Sequence, residues 1–162
     1  MKPKHFPTAG TDAVLRSLIS CVSSIDCSTF SKGSDRTKTE RVKGLQSSIM
    51  AALKRAFPRI EWTDEYCPNS MYRDRIDIFG KGREYVVVVE LDTTRADQVA
   101  KKFVSRSAIL AAKQVYYLSV CYPGTDNMNA AECKKYFGFC AVLARRMHTH
   151  FGGFIIAKSE PT

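Results

Sequence analysis

Asp77, Glu90 and Asp92 are the residues whose type and spacing could do chemistry in this chain, and all three fall in one stretch, RIDIFGKGREYVVVVELD, residues 75–92. Carboxylates gathered at the end of an apolar sheet repel one another and lose water, which is costly unless a cation sits among them. Oxygen-only ligands suit a hard ion such as Mg²⁺, with Mn²⁺ as the alternative. The stretch reads as a hairpin. Residues 75–79 alternate Arg75, Asp77 and Phe79 with Ile76 and Ile78, residues 85–91 form an apolar β-branched run ending in Glu90-Leu91, and Gly80-Lys81-Gly82-Arg83 supplies the turn.

The register decides what the acids can do. A pivot between Arg83 and Glu84 sets Asp77 opposite Glu90, whereas a pivot between Gly82 and Arg83 sets it opposite Val88 and diagonal to Glu90. In both registers Asp77 and Glu90 share a face, and Asp92 joins them if the strand continues. Packing offers other roles: Asp92 precedes Thr93-Thr94 and could cap a helix, and Glu90 could pair with Arg73 or Arg75.

Periodicity gives the surrounding elements. Val14, Leu15, Leu18, Ile19 and Val22 predict a helix over 11–26, and polar residues 27–39 a loop. Val42, Leu45, Ile49, Leu53 and Ala56 form one stripe of a helix over 36–57, with Glu40 on its solvent side. Residues 59–63 predict a strand and 64–72 a loop. The Thr94 to Asp97 spacing matches a capping box opening a helix to Lys113, along which Arg95, Gln98, Lys102 and Arg106 border the apolar side while Asp97 and Lys101 point away. Residues 115–122 read as a strand, Asn129 with Glu132 as the start of a helix to His148, and residues 154–157 as a last strand. His148 and His150, near that helix end with no partner ligand, read as surface residues.

The chain of 162 residues is expected to be one body with a substantial core. Its formal charge of +9 favours a polyanionic partner, nucleic acid ahead of a membrane surface. The six cysteines have no zinc spacing and read as reduced thiols. With no signal-peptide pattern at the start and no long uncharged run, a cytoplasmic location and no membrane association are expected.

The order α-β-β-β-α-β across residues 36–122, with Asp77 on the second strand and Glu90-Leu91-Asp92 ending the third, resembles the restriction-endonuclease-like, PD-(D/E)XK, superfamily of nucleases. The resemblance implies an α/β fold with a restriction-endonuclease-like core, a central mixed sheet flanked by helices, carried by residues 35–162. Residues 1–34 would be an N-terminal helix and linker, and a helix and short strand would follow the core. It implies Mg²⁺ held by Asp77 and Glu90, with Asp92 in the position of the family's catalytic lysine. Ile76 stands where the motif's proline would be. Lys102 or Gln98 is the substitute that the resemblance suggests for the lysine. Arg73, Arg75, Lys81, Arg83, Arg95 and Arg106 would contact phosphates; pairing with Asp74 and Asp77 is the other role open to Arg73 and Arg75, and a solubilising turn the other role open to Lys81 and Arg83. The implied activity is a DNA endonuclease, with DNA ahead of RNA as substrate and a homodimer as the form suited to duplex cutting. A member that binds nucleic acid or protein without cutting is the alternative, as is an unrelated basic α/β domain whose carboxylates are structural.

Overall fold

The computed structural model describes residues 2–6, 10, 12–28, 37–69, 74–110, 113–122 and 127–156. In chain order the elements are β1 (Lys4–Phe6), α1 (Ala13–Ser23), α2 (Lys38–Ala56), β2 (Glu61–Tyr66), β3 (Ile76–Lys81), β4 (Tyr85–Asp92), α3 (Asp97–Ile109), β5 (Gln114–Cys121), α4 (Ala130–Arg146) and β6 (His150–Ile155). The strands make one mixed sheet in the order β1-β6-β5-β4-β3-β2. β4, β5 and β6 run parallel, while β1, β3 and β2 join as antiparallel neighbours. The fold is therefore α/β, with helices on both sides of the sheet.

β4 holds the centre because its four valines suit both faces. Val87 and Val89 enter one core with Leu118 and Val120 of β5 and with Leu15, Leu18, Leu45, Ile49 and Leu53 of α1 and α2. Val86 and Val88 enter the other, with Tyr117, Phe151, and Val99, Phe103, Phe137 and Cys140 of α3 and α4. A strand buried on both faces reads as a continuous apolar run, as this one does.

Local chemistry sets the helix starts. Asp12 accepts from Leu15 N–H at 3.0 Å to open α1. At α2 the Thr37 hydroxyl accepts from Glu40 N–H while the Glu40 carboxylate accepts from Thr37 N–H at 2.7 Å, a full capping box. Glu40 is exposed, as its place on the helix predicts. At α4 Asn129 accepts from Glu132 N–H at 2.9 Å.

Several expectations change. The capping box at Thr94 does not form: Ala96 is the N-cap of α3, with no side-chain cap bond, and Asp97 pairs with Arg95 and Lys101 at 3.0 and 3.1 Å. Strand β2 runs on through Asp64–Tyr66, held by pairing with β3. Residues 4–6 form a strand that the sequence did not show, because β6 supplies the pairing for it. Helix α1 packs into the same core as α2. Much of the polar 27–39 stretch lies outside the described residues. No described helix is long and apolar enough to cross a membrane.

Candidate active site

The hairpin register is Ile78 with Val89, Phe79 with Val88 and Gly80 with Val87. Continued by one residue, it sets Asp77 opposite Glu90, the first of the two registers open to the sequence. Gly82 N–H closes the turn on the Tyr85 carbonyl at 2.9 Å. Glu90 and Asp92 follow Val86 and Val88 on the face covered by α3, at the C-terminal end of β4.

The three carboxylates converge on Lys102. Its Nζ lies 2.9 Å from Glu90 Oε2, 3.0 Å from Asp92 Oδ1 and 3.7 Å from Asp77 Oδ2. It also donates to the Leu91 carbonyl at 3.4 Å. Lys102 lies in the second turn of α3, with its ammonium turned to the acids of β3 and β4.

Each acid has a different environment. Asp77 is half-buried, and its Oδ2 accepts from Leu91 N–H at 2.7 Å, which ties β3 to β4 beyond their paired residues. Glu90 is fully buried, and Oε1 accepts from Arg106 Nε at 3.0 Å. Burial pushes its carboxyl up to about 7, against the opposing pull of Lys102. Asp92 is 5% exposed and is raised by the same cause, and its Oδ2 has no hydrogen-bond partner among the described residues. Burial alone would depress Lys102, but Asp92, Glu90 and Asp77 outweigh it and hold the ammonium above its ordinary value. Beneath the cluster, the buried Tyr117 hydroxyl likewise has no partner among the described residues.

Arg106, expected along a DNA-facing border, is buried at 5% exposure. Its guanidinium meets Glu90, donates to the Arg75 carbonyl at 2.9 Å and lies 3.3 Å from Asp74, so its charge is spent within the fold. A buried carboxylate needs such a counter-charge, and the guanidinium fork supplies it. Gln98 is half-buried one turn before Lys102, and its side chain makes no hydrogen bond to the acids among the described residues. Arg75, Lys81, Arg83 and Arg95 are exposed, and Arg95 pairs with Asp97. Arg73 lies outside the described residues.

Gln46 of α2 was not singled out by the sequence. Its Nε2 donates to the Asp77 carbonyl at 2.7 Å and to Glu65 Oε1 at 3.3 Å, pinning the backbone beneath the first acid. It is a polar residue at the edge of an apolar stripe, and no short-range spacing marks it.

Among the described residues, no group of three or more His, Cys, Asp and Glu side chains is arranged to hold a metal ion. The carboxylates are gathered around an ammonium, which supplies the positive charge they require. Three carboxylates, with the buried Asp92 Oδ2 unpartnered among the described residues, are oxygen donors of the kind a hard divalent ion takes. All six cysteines are free thiols; burial pushes Cys140, close to Asp92, up to about 12.

No family model matches this chain, and no curated protein matches it in sequence.

Proposed function

We propose that the chain is a divalent-metal-dependent nuclease of the restriction-endonuclease-like kind, hydrolysing phosphodiester bonds in DNA. The observation that carries this reading is the convergence of Asp77, Glu90 and Asp92 on one cationic position at the C-terminal end of β4. The order α2-β2-β3-β4-α3-β5 and the charge of +9 support it. Asp77, Glu90 and Asp92 would hold Mg²⁺ or Mn²⁺. The chemistry such an ion supplies is a lowered pKa for an attacking water and neutralisation of charge on the phosphate oxygens.

The chain's own groups do the rest. Leu91 N–H and Gln46 fix Asp77 from two sides, and Arg106 fixes Glu90. Lys102, displaced from the acids, would set its charge against the phosphate. Arg75, Lys81, Arg83 and Arg95 would hold the flanking backbone, and that binding would weaken steeply with salt.

A second reading, nucleic-acid binding without cleavage, is favoured by one observation: an acid, Asp92, stands at the family's lysine position, and Lys102 is held by all three carboxylates. Cleavage of supercoiled and linear DNA at low salt with Mg²⁺, Mn²⁺ or EDTA separates the two. Metal-dependent cutting that is lost in Asp77→Ala and in Glu90→Ala is the expected result. Binding without cutting in every metal, on duplex, single-stranded and branched DNA, would overturn the nuclease reading in favour of the second.

A further inference from the structure

Helix α4 turns its core residues Cys133, Phe137, Cys140 and Ala144 to the sheet, and its opposite side carries a separate pattern. At 100° per residue, Glu132, Lys135, Phe139, Val142 and Arg146 fall on one stripe. At its middle, Phe139 is 54% and Val142 46% exposed, and on the neighbouring α3 Val104 is 48% exposed. Solvent is a poor setting for three large apolar side chains on adjacent helices.

The stripe also carries charges of both signs. Glu132 stands seven residues before Phe139 and Arg146 seven residues after it. Lys135 holds the Glu132 carboxylate on the stripe at 2.6 Å. If two copies of α4 cross antiparallel about a twofold axis beside Phe139, Phe139 meets Phe139, Tyr136 falls opposite Val142, and Glu132 of each copy faces Arg146 of the other. The stripe is complementary to itself, as an isologous interface requires.

We propose that the outer face of α4, flanked by Val104 of α3, is the surface through which two copies of this chain form a twofold dimer. A helix of 17 residues is about 25 Å long. Alone it falls short of the roughly 800 Å² per partner of a standard interface, so the contact draws in α3 and gives a reversible dimer rather than an obligate one. The inference stands whether or not the chain cuts DNA.

The test is sedimentation velocity on the full chain over a concentration series, with circular dichroism to check folding. The wild type is expected to pass from monomer to dimer, and Phe139→Glu to stay monomeric. In a Lys135→Ala background, which removes the pairing within the chain, Glu132→Arg and Arg146→Glu should each weaken the dimer about tenfold or more, since symmetry places each pair twice. The two exchanges combined should restore it. A wild type that is monomeric throughout, or a dimer indifferent to Phe139→Glu and to the charge exchanges, would overturn the proposal.

Discussion

Asp92 and Asp12 stand at opposite ends of the sheet and are managed in opposite ways. Asp12 caps α1 beside the start of β5. The raising effect of its surroundings is outweighed there by hydrogen bonds from Leu15 N–H and the Tyr116 hydroxyl, both at 3.0 Å, which hold its carboxyl below the ordinary value. Aromatic rings close over this end, Tyr116 stacking on His150 at 4.4 Å and meeting Tyr85 edge-on. Asp92, at the end of β4, is buried with an oxygen unpartnered among the described residues and shares one ammonium with two other acids. One end lets an acid stabilise a helix; the other buries acids that share one ammonium. Groups pushed away from their ordinary protonation in this way collect at functional sites.

The sharpest way to break this contrast is Lys102→Met. Without the shared cation, three carboxylates face each other at a buried end, and unfolding in urea should show a loss of about 3–5 kcal/mol near neutral pH. Lys101→Met, which removes an exposed lysine, is the control. Added Mg²⁺ should recover part of the Lys102→Met loss, and an equal, small loss in both variants would mean that the acids do not depend on Lys102.

Next comes pH. Burial pushes the folded Glu90 carboxyl up to about 7 from its ordinary 4.5, so between those values the folded state binds the extra proton. Its contribution is present below 4.5 and is lost as pH rises through about 7, a change of about 3 kcal/mol. Asp12 has the reverse sign. Its contribution is present above 3.8 and is lost as pH falls through the lower folded value. Urea unfolding followed across pH should therefore decline from both sides, and Glu90→Gln should flatten the upper decline alone.

Smaller effects sharpen the other end. Asp12→Ala removes the α1 cap and the Tyr116 partner together, for about 1–2 kcal/mol, read from the urea midpoint. Tyr116→Phe removes only the hydroxyl, for about 0.5–1.5 kcal/mol. A Tyr116→Phe loss as large as that of Lys102→Met would erase the distinction between the ends.

The hairpin and its acids were legible because β-branched runs and period-2 alternation are local. Lys102 was reachable from the 3.6-residue period, which set it on one border with Arg95, Gln98 and Arg106. That period could not say how deep each border residue lies. Arg106 went under because Glu90, sixteen residues away, needed its charge, and Lys102 was drawn to all three acids. Gln46 was invisible for the same reason, its partner lying thirty-one residues on. Strand β6 was read short because Gly152-Gly153 breaks an apolar pattern. Phe137 lies over Gly153, where a Cβ would stand 2.5 Å from its ring, so that glycine seats α4 on the sheet.

Lys4 pairs with Ile155, so the first strand of the sheet waits for the last. During synthesis β1 has no template until β6 has formed against β5. Such pairing across almost the whole chain is slow to close, and an unpaired strand edge is sticky in the meantime. The edge of the sheet is thus sealed last, and a nascent chain stalled before residue 150 would carry β5 as an open edge, a state that a chaperone would be expected to hold.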